Sequence, residues 1–248
     1  MFVSANYLSI NYGIDDTISK FFVDRQPPVD NLYWHGKLMY LRPEIGWLFI
    51  PLIVDLLFKS GISKQQLLSE EFVSLLEKVG HTSAEEELKQ ISHQQALEKY
   101  MALVGDNYKN VTYYNNLVDF MKGGQKNFFA EVSTPFKALH RGDAFLFSLC
   151  ALDIDESIHQ KVVQYWFALI STLLLLDDAE DMEVDKSSGD ENAFLEIDLS
   201  KDGIEKIKVL VKQNLQIISG INRIMAIKLD EMFVTLSNKP HIQALLNL

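Results

Sequence analysis

The stretch from Glu156 to Asp185 constrains this chain more than any other. Its middle, Val162, Val163, Tyr165, Trp166, Phe167, Leu169, Ile170 and Leu173 to Leu176, is apolar nearly all round a helix. A helix without a polar face must be surrounded by protein. The pattern predicts one long helix, capped by Asp155, at the centre of a helical bundle. The run then ends in six carboxylates within nine residues: Asp177, Asp178, Glu180, Asp181, Glu183 and Asp185. With Asp177 at zero and about 100° per residue, Asp181 falls at about 40° and Asp185 at about 80°. Like charges one turn apart repel unless a cation sits among them. Mg²⁺ suits such a face, because it prefers carboxylate oxygens and keeps waters that a phosphate can displace. The bland alternative is a helix end whose carboxylates are simply hydrated. Beneath the acids, Trp166, Ile170, Leu173 and Leu174 lie within about 60° of the same direction. An apolar wall topped by carboxylates matches a ligand with a greasy tail and an anionic head, bridged by metal ions.

Composition narrows the partners. The chain has 248 residues, of which 48% are hydrophobic, and a net charge of −11. Such an acidic balance argues against nucleic acid, whose phosphates need a basic surface, and against an anionic membrane surface. Metal ions could still supply local positive charge for a diphosphate. The lone Cys150 sits among apolar neighbours and reads as a buried thiol, with no disulfide or Cys-based zinc site to form. The apolar runs Ile45 to Phe58 and Val162 to Leu176 fall short of the roughly 18–20 residues of a membrane span. No secretory signal is apparent at Met1 to Asn6. The expectation is a cytoplasmic protein with no transmembrane segment.

Strand signals are weak throughout, and helical spacing is separated by short Gly, Pro and Asn breaks. Residues 1–35 are the least patterned, with a short helix expected from Asp15 to Val23. Further helices are expected from Arg42 to Ser60 (with Pro51 as a kink and Gly61 as the stop), from Ser63 to Val79, and from a capping box at Ser83-Ala84-Glu85-Glu86 to about Val104. Asn107 to Lys122, Lys126 to Leu139 and Asp143 to Leu152 follow. Ser200 should cap a last long helix to about Leu236, before a short tail helix at Lys239-Pro240. The reading is one all-α domain over residues 1–248, built round the central apolar helix.

Leu-Leu-Asp-Asp-x-x-Asp-x-x-x-Asp-x-x-x-Gly, at Leu175 to Gly189, resembles the second aspartate-rich motif of the class I isoprenoid synthases, which include polyprenyl diphosphate synthases, squalene and phytoene synthases and terpene cyclases. The resemblance implies an all-α bundle around an apolar cavity. It also implies Mg²⁺ (with Mn²⁺ as a substitute) that binds a prenyl diphosphate and promotes its departure to leave an allylic cation, for prenyl transfer or cyclisation. Asp177 and Asp181 would be the main ligands, with Asp178 and Asp185 as further ligands or as supports behind them, and a homodimer is common in the family. The first aspartate-rich motif is not evident. Its nearest counterpart is Asn115-Asn116-Leu117-Val118-Asp119, in which Asn115 and Asp119 could share a metal, but it lies only 62 positions before Asp177. One clear motif fits either a divergent enzyme or a non-catalytic relative that binds a lipid-like ligand or a protein partner.

Four cations are candidate diphosphate clamps. Lys37 and Arg42 faintly resemble a basic element of the polyprenyl synthases. Lys212 and Arg223 stand 11 apart, about three turns, on the expected last helix. Ordinary surface charge is the competing account of all four, and an exposed polar edge is that of Asn115 and Asp119. The six His residues form no metal-ligand spacing, and no nucleophile elbow or phosphate loop is present.

Overall fold

In a computed structural model of the protein, residues 3–26, 28–32, 48–240 and 242–243 are described. They form an all-α bundle. Its helices are α1 (Ala5–Tyr12), α2 (Asp16–Asp24), α3 (Phe49–Lys59), α4 (Lys64–Leu67), α5 (Glu70–Glu87), α6 (His93–Val104), α7 (Val111–Met121), α8 (Phe128–Val132), α9 (His159–Ser188), α10 (Ala193–Glu196), α11 (Lys201–Ser219) and α12 (Arg223–Ser237). A 3₁₀ segment, Lys137–Ala151, lies between α8 and α9.

The central helix is α9. It packs against α3, α8, the 3₁₀ segment, α10, α11 and α12, so the face-less apolar pattern is met by protein on every side. Trp166, Val162, Val163, Leu169, Leu175 and Leu176 are fully buried, and each such side chain contributes roughly 1.5–3 kcal/mol. By length and composition the span Glu156–Ser188 is sufficient to cross a membrane, but 83% of its apolar window is buried inside the molecule. It is a core helix here. Asp155 caps a short 3₁₀ turn, Glu156–Ile158, that leads into α9, and Gly189 at φ +75° ends it.

Several boundaries differ from the sequence pattern, each for a local reason. The helix expected to stop at Gly80 continues to Glu87, because Gly80 is buried against protein and no cap interrupts it. The working capping box is at Ser92 and Gln95 rather than Ser83. The expected helix from Asp143 starts earlier and runs as a 3₁₀ segment straight through Gly142. The last long helix is broken. Gly220, Ile221 and Asn222 separate α11 from α12, and the Asn222 Oδ1 accepts from the Met225 N–H at 3.0 Å as a new N-cap. The same side chain donates to the Tyr12 carbonyl at 2.9 Å and to the buried Asp55 at 2.8 Å, so the break is held by α1 and α3. The start expected at Arg42-Pro43 lies outside the described residues.

Candidate functional site: the acidic end of the central helix

Helical spacing puts Asp177, Asp181 and Asp185 on one face of α9, with Asp181 exposed and Asp177 and Asp185 half-buried. Asp178, one residue and about 100° further round, points inward instead and is fully buried. Its Oδ1 accepts from the Arg141 guanidinium and its Oδ2 from the Ala193 N–H at 2.8 Å. Asp178 is therefore an anchor within the protein rather than a member of the open carboxylate face. Arg141 also donates to the Ala138 carbonyl at 2.8 Å, and its guanidinium lies 3.7 Å from Asp177. It thus stands between the buried acid and the open one.

Gly142 brings this cation into place. A Cβ there would lie 2.6 Å from Cγ2 of Ile170, so only glycine lets the 3₁₀ segment ride that close on α9. Beside it, His140 Nδ1 meets Asp143 at 2.5 Å and Nε2 meets the Thr134 carbonyl at 3.0 Å. A carbonyl only accepts, so Nε2 carries a proton, and the second proton is shared with Asp143. Asn192 closes the far side. It donates to the Asp178 carbonyl at 2.7 Å and to Asp185 Oδ2 at 2.8 Å.

The electrostatics follow from burial. It pushes the Asp177 carboxyl up from 3.8 to about 6; Arg141 opposes this, while Asp181, Asp178 and Asp185 add to it. Asp181 is also raised, by burial and then by its acidic neighbours. Burial pushes Asp178 up as well, against Arg141, whose guanidinium keeps its proton and favours the charged carboxylate beside it. A raised carboxyl stabilises the fold fully below its unfolded value and loses that contribution as pH rises through about 6. Asp177→Asn should therefore be more stable than the parent at pH 7 and no more stable at pH 4. Discounted for the 45% exposure of this side chain, the gain is about 0.5 kcal/mol, or about 1–2 °C in Tm. Equal or lower Tm at pH 7 in thermal melts would count against a desolvated Asp177.

Among the described residues, no three His, Cys, Asp or Glu side chains form a group that could hold a metal by themselves. Mg²⁺ does not demand one: it is usually held by one or two carboxylates, waters and substrate phosphates. Asp177 and Asp181 fit that donor set.

The other predicted residues scatter. Trp166, Ile170 and Leu173 are buried and Leu174 half-buried, all four packed in or against the core; below the acids the expected apolar pocket wall is filled with protein. Asn115 and Asp119 are exposed on α7. Asp119 accepts from Asn127 at 2.6 Å and occupies the space a side chain at Gly124 would need, so it holds a turn. Its neighbour Phe120 meets Phe167 of α9, ten residues and about 15 Å of helix before Asp177. Lys212 and Arg223 are parted by the break at Gly220, so the three-turn spacing that would put them on one face does not apply. Arg223 is exposed at the start of α12, and Lys212 lines a groove between α11 and α12. Lys37 and Arg42 lie outside the described residues. The sequence reading missed Arg141 and Asn192. Their signals were slight: an arginine in the polar interruption His140-Arg141-Gly142-Asp143 of an apolar stretch, and an Asn placed to cap Ala193–Glu196.

Compared with models of protein families, with curated proteins and with solved structures, the chain matches none.

Proposed function

We propose that the face of Asp177, Asp181 and Asp185 is a Mg²⁺-dependent site for a diphosphate head group, in an isoprenoid-synthase-like cytoplasmic protein whose ligand is an allylic prenyl diphosphate. One observation carries this reading. Asp177 is held half-buried where the apolar run of the core helix ends, its proton affinity raised, with two further carboxylates on its face and an anchored guanidinium 3.7 Å away. A divalent cation relieves that crowding, and Arg141 offers a second, fixed positive charge to the same phosphates. When bound, the metal supplies charge neutralisation at the leaving diphosphate. Asp177 and Asp181 would hold it, Asp185 would be oriented by Asn192, and Asp178 would keep Arg141 in position.

The second reading, a non-catalytic binder, is favoured by a different observation. Trp166, Ile170 and Leu173 fill the space beneath the carboxylates, so a prenyl chain finds no cavity there among the described residues. The two readings share the head-group site and differ in turnover.

Calorimetric titration of farnesyl diphosphate with and without Mg²⁺ tests the shared part. A Mg²⁺-dependent increment in binding is expected; it should disappear in Asp177→Ala and weaken between pH 7 and pH 5 as protons compete for the carboxylate. No Mg²⁺-dependent increment, or one unchanged in the variant, would overturn the site. Incubation with Mg²⁺, with and without isopentenyl diphosphate as acceptor, and product analysis then separate the readings: released hydrocarbon or alcohol, or a lengthened diphosphate, means catalysis, and intact farnesyl diphosphate recovered from both means a binder.

A further inference from the structure

The side of α9 opposite Asp177 borders a groove. Ala179, two residues and about 200° from Asp177, forms part of the floor of an open groove of about 580 Å³ between α11 and α12. That volume is in the range of small-molecule sites, about 300–1,000 Å³. Its walls are apolar. On the α12 side Ile227 is 50% exposed and Val234 55% exposed, two large aliphatic side chains left facing water across one groove. The opposing wall carries Lys208 and Lys212, one turn apart. Lys208 is paired with Glu205 at 2.6 Å. Lys212 has no ion-pair partner among the described residues. Asp230 stands on the α12 wall, so the charges of the rim are polarised across the groove.

We propose that this groove binds a single-chain anionic amphiphile, a fatty carboxylate in chemical class, with its tail along Ile227 and Val234 and its head on Lys212. Charge complementarity selects this occupant: an unpaired lysine at the lip of an apolar groove attracts an anion locally, and Asp230 keeps the head on the α11 side. The aliphatic lining takes the tail and removes Ile227 and Val234 from water. No metal is required, because Lys212 supplies the positive charge. The site is independent of the one at Asp177 in position and in chemistry.

The test uses 11-(dansylamino)undecanoate, whose emission rises and shifts to the blue in an apolar site. Saturable binding at one probe per chain is expected, unchanged by EDTA and unchanged in Asp177→Ala. Ile227→Asp and Val234→Asp place a charge on the wall at exposed positions and should each weaken binding about tenfold or more. Lys212→Glu should weaken it several-fold, and Asp230→Ala should strengthen it. A cationic competitor, dodecyltrimethylammonium, should displace the probe less well than dodecanoate. Circular dichroism checks that the variants keep their helix content. Absence of saturable binding overturns the proposal, as does binding that survives both wall variants. Binding abolished by EDTA or by Asp177→Ala would place the probe on the acidic face instead. If Ile227→Asp only converts a dimer to a monomer, leaving the probe affinity unchanged, the groove is a self-association surface and the proposal fails.

Discussion

Arg141→Ala is expected to be among the most damaging single substitutions in this protein, costing about 3–5 kcal/mol at pH 7 and about 10 °C or more in Tm. The loss comes from the partner left behind rather than from the arginine itself. Asp178 is fully buried, and without the guanidinium its carboxylate retains only the Ala193 N–H. An unpaired buried charge relieves itself by taking up a proton, which gives the prediction a pH signature. The carboxyl of Asp178 then rises further above its unfolded value, so the deficit is full at pH 7 and shrinks toward pH 4. Urea unfolding at the two pH values measures this directly. Replacing both partners by apolar residues, Arg141→Met with Asp178→Leu, should recover most of the stability, since the pair itself is close to neutral against well-packed hydrophobes. A single-variant cost below about 1 kcal/mol, flat with pH, would mean that Asp178 is hydrated and that Arg141 is not anchored by it.

Trp166 gives the second large effect. Among the described residues it is the largest fully buried side chain, about a quarter of the way along the central helix. Trp166→Ala should cost about 3–5 kcal/mol through lost burial and the cavity left among α9 and its neighbours. Trp166→Phe should cost far less, below about 1.5 kcal/mol. The indole Nε1 is buried without a hydrogen-bond partner among the described residues, and phenylalanine keeps most of the ring while removing that donor. An unsatisfied buried N–H itself costs about 1–3 kcal/mol, which offsets part of the lost volume. Denaturant unfolding followed by circular dichroism compares the two variants. Equal damage from Phe and Ala would mean that the indole N–H is satisfied in solution and that its hydrogen bond, more than the ring, holds the position.

The legible part of this protein was local. Apolar spacing from Val162 to Leu176 predicted a buried central helix, and α9 is that helix. Asp155 and Ser200 were recognisable as caps, because a side-chain oxygen before a helix satisfies N–H groups only two or three residues away. The grouping of Asp177, Asp181 and Asp185 on one face follows from the helical repeat alone. Where the sequence misled, competing local signals had equal weight. Ser83 with Glu86 and Ser92 with Gln95 both look like capping boxes, and the packing of Gly80 in the interior carried α5 past the first to end before the second.

The site divides along the same line. An amino-acid sequence determines which carboxylates share a helix face, and here it sufficed to separate Asp177 from Asp178 by about 100°. It could not assign their different fates. Asp178 is buried because Arg141, 37 residues earlier, is delivered to it by a glycine that fits against Ile170. A charge pair across that separation leaves no periodic trace. The groove at Lys212 exists because Asn222 splits one amphipathic run into two helices, held apart by bonds to Tyr12 and Asp55 more than 150 positions away. Periodicity is a property of one helix and survives in the sequence; pairing between helices is decided by which side chains meet when the chain closes on itself, and only the tertiary structure records that.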